Sequence, residues 1–424
     1  MKQYNINTLA NKLAYISVPM AGTETVTILV YVKTGSKYEN RKERGLSHFL
    51  EHMFFKGTIK RPTTLVLSSE LDSLGCEYNA FTSKEYTGYW IKVSSDKTET
   101  ALELVSDMLL NSKFEEEEIE REKGTIIEEL NMYEDNPLMR IEDIFENCLY
   151  GDTPAGWDIV GTVAHIKSFK RQDFINYFKR QYGATSATLI VAGNLPKNTN
   201  NLVKKYFSAF AKNKWNDKVK VKEAQKQPAM ILIKKKTDQV TLSLGVRTGA
   251  TNDKDEFIVR VLAIILGGSM SSRLFIEIRE RRGLAYSVRT SSELFSDTGY
   301  LTTTTGIKLG HEEEAVNLII EAYKKVSKEL IPEEEITRAK DMLKGRLTIS
   351  LEASDDLANW YGRQAIYRKK YLTPADYIEE ITKITAADLK RVAKKIFVEH
   401  NLNLALIGPI DAKKEAALKK ALKL

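Results

Sequence analysis

Two histidines and a glutamate lie within five residues of one another, in the order His48, Glu51, His52. Read as a helix, this stretch projects the two imidazoles from one side, one turn apart, with the carboxylate beside them. Two histidines, a third ligand and an open position for water form the usual catalytic zinc arrangement. The spacing therefore indicates a metal site at which Glu51 accepts a proton from water. The alternative is a surface helix that merely carries two histidines.

A second predicted helix, from about residue 115 to residue 133, offers a third ligand. Glu122 and Glu129 are seven residues apart and point from the same face as the apolar Ile119 and Ile126. Carboxylates on a buried face need a partner, because an unpaired buried charge is costly. A metal site supplies that partner, with Glu129 as a ligand and Glu122 orienting a ligand histidine. Alternatively, both acids belong to a solvated acidic helix or pair with arginine.

The hydrophobic pattern predicts the elements that position these residues. Apolar residues at i, i+3, i+4, i+7 and i+8 from Leu46 to Phe54 give the first helix one buried face, and the histidines lie on the other side. Residues 12–34 read as strands before that helix. Residues 77–93 alternate as two strands around a turn at residues 82–84. This mixture of strands and helices is typical of an α+β layered domain.

Three short segments of the sequence recur at offsets of 214 to 217 residues. The pairs are residues 32–35 and 246–249, residues 189–193 and 404–408, and residues 119–121 and 336–338. A nearly constant offset indicates duplication, and the period is far too long for a solenoid. We therefore predict an N-terminal domain at residues 1–210, a polar, lysine-rich linker at residues 211–228 and a homologous C-terminal domain at residues 229–424.

The repeat also tests the metal hypothesis, because equivalent positions in the two halves can be compared. In the second half, His48, Glu51 and His52 map to Leu262, Ile265 and Leu266, whereas Glu122 and Glu129 map to Ala339 and Arg346. The second half has lost every proposed ligand together. Joint loss of this kind suggests that the residues act as one site.

The composition limits the classes of protein to which this chain can belong. The chain has 424 residues, with 42% hydrophobic and 29% charged residues and a net charge of +7. The charge is modest for this length and no nucleic-acid-binding motif accompanies it, so runs such as residues 234–236 read as solvated surface and no nucleic-acid partner is expected. Cys76 and Cys148 form no C-x-x-C motif, which fits a reducing compartment. We expect no signal peptide, no membrane span and a cytoplasmic location.

Taken together, these residues resemble the pitrilysin (insulinase-like) family of zinc metallopeptidases, which includes insulin-degrading enzyme and the mitochondrial processing peptidase. The family carries the inverted H-x-x-E-H zinc motif. The chain is similar in length to the half-size members, such as the beta subunit of the processing peptidase. The likeness rests on residues 48–52, on a gap of 76 residues from His52 to Glu129, and on residues 79–85, 271–275 and 283–287.

The resemblance implies an α+β fold of two homologous α/β-roll halves, each an antiparallel-rich sheet packed with helices. It implies a metalloendopeptidase that hydrolyses unfolded peptides or small polypeptides inside a closed chamber. One Zn²⁺ per chain would be held by His48, His52 and Glu129. Glu51 would be the catalytic base, and Glu122 would orient a ligand histidine.

The resemblance also implies residues that handle the substrate. An extended peptide would pair its backbone with the strand that contains Asn79, Ala80 and Phe81, an edge addition that reads little sequence. Arg279 and Tyr286 match a pair that the family brings to the active site to bind the substrate carbonyl and stabilise the oxyanion. The alternative places Arg279 at an ordinary charged helix end and Tyr286 in the core of a strand.

The same residues bear on the assembly and on the role of the protein. Because the chain carries both the zinc motif and the Arg279–Tyr286 pair, a homodimer is expected, completed in cis or in trans. A specific presequence-type processing protease shares every motif and is one alternative. A non-catalytic structural subunit of the same fold is another, although such subunits usually have a damaged zinc motif.

Overall fold

The structure, a computed structural model, describes residues 4–424. Residues 1–3, on which the expectation of no signal peptide partly rests, lie outside this range. The strands are β1 (Asn5–Thr8), β2 (Ala14–Pro19), β3 (Thr25–Val32), β4 (Glu77–Thr82), β5 (Thr87–Ser94), β6 (Ala187–Gly193), β7 (Ala229–Lys234), β8 (Gln239–Thr248), β9 (Ala285–Leu294), β10 (Gly299–Lys308) and β11 (Leu402–Gly408).

Helices connect and cover these strands. They are α1 (Leu46–Met53), α2 (Thr64–Ser73), α3 (Thr98–Asn111), α4 (Glu116–Asp135), α5 (Pro137–Tyr150), α6 (Val163–Ser168), α7 (Arg171–Gln181), α8 (Thr199–Phe207), α9 (Glu256–Gly267), α10 (Glu312–Lys328), α11 (Glu333–Ile349), α12 (Ser354–Tyr367), α13 (Pro374–Thr382), α14 (Ala386–Ile396) and α15 (Ala412–Ala421). Within residues 4–424, no helix has both the length and the apolar character needed to cross a bilayer.

The chain divides into two compact units. The first comprises residues up to Asn131, Trp157–Val219 and Thr348–Thr373. The second comprises Met132–Gly156, Lys220–Leu347 and Pro374–Leu424. Each unit therefore takes one helical segment, α12 or α5, from the other half of the sequence. The domain boundaries that we predicted from the sequence repeat separate the two duplicated halves of the sequence. They stay a prediction.

The first unit is built on a six-stranded sheet in the order β1-β2-β6-β3-β5-β4. Only β2 and β6 run parallel, and the other neighbours are antiparallel. Side chains alternate between the two faces of a strand. On β3, Ile28 and Val30 pack in the core that contains α1, whereas Leu29 and Tyr31 pack against α12 on the opposite face. Strand β4 lies at the edge of this sheet.

The second unit contains a five-stranded sheet in the order β7-β11-β8-β10-β9, with β7 and β11 parallel and the rest antiparallel. This order and these directions match those of β2-β6-β3-β5-β4. The repeated sequence segments occupy equivalent strands, since residues 32–35 and 246–249 lie at the ends of β3 and β8, and residues 189–193 and 404–408 lie in β6 and β11. The predicted fold class, two sheets packed with helices, is confirmed.

The predicted linker at residues 211–228 contains no helix or strand. Its first part nevertheless packs on the first unit. The Asn213 amide donates to the Arg180 carbonyl at 3.0 Å, and the Trp215 indole donates to the Lys33 carbonyl at 2.6 Å. Residues 213–215 are therefore part of the first unit.

Candidate metal centre

Helix α1 carries three of the proposed site residues, and its burial pattern explains their orientation. The apolar residues of the predicted stripe are buried, with at most 1% of each side chain exposed: Leu46, Phe49, Leu50, Met53 and Phe54. Anchoring this face against the sheet and α7 turns His48, Glu51 and His52 toward α4 and β4.

The start of α1 is fixed by a buried carboxylate and a glycine. Glu39 accepts hydrogen bonds from the backbone N–H groups of Gly45 at 2.8 Å and of Ser47 at 2.7 Å. Burial raises the pKa of Glu39 to about 8, although these hydrogen bonds oppose the rise. Gly45 has φ of +90°, and a Cβ there would lie 2.3 Å from the Val160 carbonyl oxygen. His48 follows two residues after this fixed start.

We expect Gly45→Ala to weaken both folding and metal binding. The left-handed φ alone costs an alanine about 1 kcal/mol, and the collision with the Val160 carbonyl adds to it by shifting the first turn of α1. Calorimetric unfolding and a zinc titration measure the two effects. Gly22→Ala is a matched control, because Gly22 has φ of +82° and open space around it, so it isolates the cost of φ. Equal effects of the two substitutions would contradict the role of the close approach.

The two histidines and Glu129 converge, although they come from separate helices. His48 Nε2 lies 3.5 Å from one Glu129 carboxylate oxygen, and His52 Nε2 lies 3.5 Å from the other. One donor atom from each of the three residues lies within 4.8 Å of the others. Donors bound tetrahedrally to zinc at 2.0–2.1 Å are about 3.3 Å apart. Two imidazole nitrogens and a carboxylate at these distances fit a zinc ion.

Glu122 supports this set from the same helix as Glu129. Its buried carboxylate lies 2.9 Å from His52 Nδ1 and 2.5 Å from the Lys56 ammonium. Burial raises the pKa of Glu122, but the hydrogen bonds to His52 and Lys56 outweigh burial and lower it. An ionised Glu122 accepts a hydrogen bond from the N–H at Nδ1 of His52 and leaves Nε2 free to bind a metal.

Lys56 is a residue that the sequence reasoning missed. It lies four positions after His52, one helical turn on, but α1 has already ended at Met53. The i+4 spacing from His52 was the one signal that pointed to it. Its ammonium balances part of the negative charge that Glu122 and Glu129 bring close to His52.

Without a metal, the acids that surround His52 raise its basicity. Burial alone lowers the pKa of His52, but the hydrogen bonds to Glu122 and Glu129 outweigh burial and raise the pKa to about 9. The same contacts operate on Glu129, where burial raises the pKa but His48 and His52 hold it well below its ordinary value. The metal-free site at neutral pH therefore holds a proton on His52.

We expect the apparent zinc affinity to rise about tenfold per pH unit from pH 6.5 to pH 9, because zinc must displace the His52 proton below a pKa of about 9. Above pH 9 this dependence should level off. A competition titration with a chelator of known pH dependence measures the slope. A zinc affinity that does not change over this range would contradict protonation of His52 in the metal-free protein.

Glu51 contacts the edge strand of the sheet. The hydroxyl of Thr82, the last residue of β4, donates to a Glu51 carboxylate oxygen at 2.5 Å. The sequence placed Thr82 in a predicted turn and in the segment 79–85 that resembles the substrate strand, but no local pattern connects two residues 31 positions apart. Glu51, the predicted general base, and the predicted substrate strand are thus in direct contact.

The three predicted substrate residues lie on β4, and among the strands of residues 4–424 this strand pairs only with β5. The Ala80 N–H donates to the side-chain oxygen of the exposed Asn79 at 2.8 Å. The Phe81 ring packs against Tyr31 and Tyr86 on the face of the sheet opposite α1. The backbone of Asn79 and Ala80 is therefore at the sheet edge, whereas the Phe81 ring is directed away from the candidate metal centre.

Arg279 and Tyr286 lie together in the second unit. The Arg279 guanidinium stands 4.9 Å from the centre of the Tyr286 ring and 4.8 Å from that of Phe275. Tyr286 is 79% exposed, so it is not the buried strand residue of the alternative interpretation. Arg279 also pairs with Glu280 at 3.5 Å. The half-buried Arg279 and the exposed Tyr286 form one pair, and their role toward the metal centre stays a prediction.

The equivalent positions of the second unit hold no metal ligands. Leu262, Ile265 and Leu266 lie on α9 and are buried in its apolar core, and the Arg346 guanidinium donates to the Gly268 carbonyl at 2.7 Å. Among residues 4–424, the only cluster of three potential metal ligands is His48, His52 and Glu129.

Comparison with known proteins identifies the family. Residues 15–163 match the family described as insulinase, peptidase family M16, and residues 168–343 match the M16 inactive domain. An uncharacterized zinc protease of Rickettsia felis is 35% identical over 414 residues, covering 97% of this chain and 98% of that protein. The chain belongs to the M16 peptidase family. The resemblance to insulinase-like peptidases is thus confirmed.

Other M16 proteins extend this result. The uncharacterized zinc protease YmxG of Bacillus subtilis is 33% identical over 91% of this chain and 93% of its own length. A protease of Helicobacter pylori superposes with a TM-score of 0.91 at 24% identity, covering 96% of this chain and 99% of its own. A Pseudomonas fluorescens structure, titled as a peptidase M16 inactive domain, gives 0.89 at 18% identity, covering 96% and 98%. The M16 fold therefore covers both halves.

Proposed function

We propose that this M16 protein is a zinc-dependent endopeptidase that hydrolyses unfolded peptides or small polypeptides. The observation that carries the proposal is the convergence of His48, His52 and Glu129 within 4.8 Å, with Glu51 on the same helix as the histidines. The relatives in Rickettsia felis and Bacillus subtilis are named zinc proteases, which supports the same reaction.

In this proposal His48, His52 and Glu129 hold one zinc per chain. When bound, zinc supplies a Lewis acid that polarises the scissile carbonyl and makes water more acidic. Glu51 accepts the proton of the attacking water on its carboxylate and delivers it to the leaving nitrogen. Glu122 and Lys56 keep the His52 ring in one orientation, which fixes the nitrogen that faces the metal.

The substrate would lie extended along β4. This strand has a free edge, and a peptide can add to it through backbone hydrogen bonds. The Ala80 N–H that now bonds the Asn79 side chain would turn to the substrate, while Asn79 rotates away. Because backbone pairing reads little sequence, this mode predicts broad specificity for peptides that can become extended, and poor hydrolysis of folded proteins.

Arg279 and Tyr286 complete the proposal from the second unit. A half-buried guanidinium and an exposed phenol side by side can both donate hydrogen bonds to a developing oxyanion. A chain that carries this pair together with the zinc set has no need of a different subunit, so we propose a homodimer that encloses the substrate in a chamber. The pair then acts in cis or in trans.

Hydrolysis of an unstructured fluorogenic peptide by the purified protein tests the proposal. We expect activity that a chelator abolishes and that one equivalent of zinc per chain restores, with a disulfide-stabilised folded protein left uncut. Activity confined to presequence-like peptides would favour a processing protease. A zinc-loaded protein that cleaves no peptide would overturn the peptidase proposal in favour of a structural subunit.

A further inference from the structure

The contact between Thr82 and Glu51 connects the last residue of β4 with the middle of α1. The Thr82 hydroxyl donates to one Glu51 carboxylate oxygen at 2.5 Å. A hydrogen bond to an ionised carboxylate is shorter and stronger than a neutral one. It also occupies one oxygen of the carboxylate, so that the other oxygen remains to accept a proton.

The backbone around Thr82 holds its side chain in this place. Thr82 is paired with Thr87 on β5, and the Ser83 N–H donates to the Tyr86 carbonyl to close the turn directly after it. Along β4, Ala80 packs in the core that contains α1, and Phe81 packs on the other face. Alternation therefore directs Thr82 to the α1 face, where Glu51 lies. As a β-branched residue in a strand, threonine has restricted χ1.

We infer that Thr82 is a positioning residue for the general base. Its hydroxyl fixes the rotamer of Glu51. Because Thr82 lies on β4, the Glu51 carboxylate is held at a fixed position relative to the strand that would align the substrate backbone. The inference rests on the proposed function, in which Glu51 is the base and β4 is the substrate strand. It adds a residue that sets the distance between the base and the peptide bond to be cut.

The expected signature is a loss in kcat with little change in KM. Thr82→Val keeps the size and branching of the side chain but removes the donor, so Glu51 can occupy other rotamers and spends less time in the reactive position. A misplacement of about 1 Å can reduce a rate on the order of 100-fold. We expect kcat to fall about 10- to 100-fold, KM to stay within about threefold, and zinc content to stay unchanged.

Thr82→Ser provides the rescue, because serine restores the hydroxyl and should recover at least about a third of the wild-type kcat. Thr27→Val is the matched control. The Thr27 hydroxyl is buried in the same sheet and bonds the Ser354 hydroxyl at 2.8 Å on the face that packs against α12. Loss of that hydroxyl should leave kcat unchanged. A kcat for Thr82→Val equal to that of the wild type would overturn the inference.

A double-mutant cycle separates positioning from general damage to the strand. If Thr82 acts through Glu51, then Thr82→Val should have no further effect on the residual hydrolysis of Glu51→Gln. An additional tenfold loss in that background would overturn the inference. A second cycle, built with Glu51→Ala because alanine removes the acceptor of the Thr82 hydrogen bond, should show non-additive changes in unfolding temperature.

The unfolding cycle keeps failure of the inference distinct from failure of the proposed function. A wild type that binds zinc but cleaves nothing would overturn the peptidase proposal. In such a protein, non-additive changes in unfolding temperature would still support the positioning of Glu51 by Thr82. Additive changes would overturn it.

Discussion

Replacing Glu51 with glutamine is expected to abolish peptide hydrolysis while the protein keeps its zinc. General-base catalysis by a positioned side chain typically contributes 10²- to 10⁴-fold, so we expect kcat to fall by about 10³-fold. Glutamine has the shape of glutamate, and its amide oxygen can still accept the Thr82 hydroxyl. What the substitution removes is the ability to take up a proton. The metal ligands lie on other residues and remain in place.

Three measurements on the same samples check this result: the hydrolysis rate of an unstructured peptide, the zinc content and the unfolding temperature. Glu120→Gln is a control for the exchange of a carboxylate for an amide, because Glu120 is exposed on α4 and pairs with Lys123 on the same helix. If Glu51→Gln retained a tenth of the wild-type activity, the general base would have to be another residue. Loss of zinc would instead make Glu51 a ligand.

The residues of the candidate centre could be predicted from sequence because helical periodicity is a local property. The stripe from Leu46 to Phe54 was sufficient to define the buried face of α1, and so the face of His48 and His52. The same reasoning placed Glu122 and Glu129 together on α4. The repeat then predicted which strands are equivalent, and the two sheets show the same order.

The contacts between distant segments could not be predicted in this way. Thr82 reaches Glu51, and Lys56 reaches Glu122, only because tertiary packing brings an edge strand and a helix end to the site. No periodic pattern encodes the contact of Thr82 with Glu51. The i+4 spacing from His52 to Lys56 does not indicate that Glu122 is the partner of Lys56.

The exchange of helices between the halves was hidden from the sequence for a related reason. Strand β3 is apolar on both faces, as Leu29 and Tyr31 indicate, so a second helix layer is required, but the pattern does not say which helix supplies it. The structure assigns that role to α12, where Gly362 lets the Tyr31 ring approach closely. On the second sheet, Phe145 of α5 covers the corresponding face.

Replacing Glu129 with glutamine is expected to remove zinc from the protein. Glu129 is the proposed ligand from α4, and its two carboxylate oxygens face the two imidazoles at 3.5 Å each. A neutral amide oxygen is a much weaker ligand for a divalent cation, and the negative charge that offsets zinc is lost. Residues outside the ligand set typically change metal affinity 10- to 100-fold, so we expect a loss of at least about 100-fold for a ligand.

Glu128→Gln is the matched control for Glu129→Gln, because it makes the same chemical change one position earlier on the same helix. Glu128 is exposed, and the 100° step between neighbouring helix positions directs it away from the histidines. Its substitution should leave zinc affinity within about twofold of the wild type in a competitive chelator titration. If Glu129→Gln kept the wild-type zinc affinity, the assignment of Glu129 as the third ligand would be wrong. If both variants lost zinc equally, the acidic character of α4 would matter more than the position of one carboxylate, and convergence with His48 and His52 would no longer explain the site.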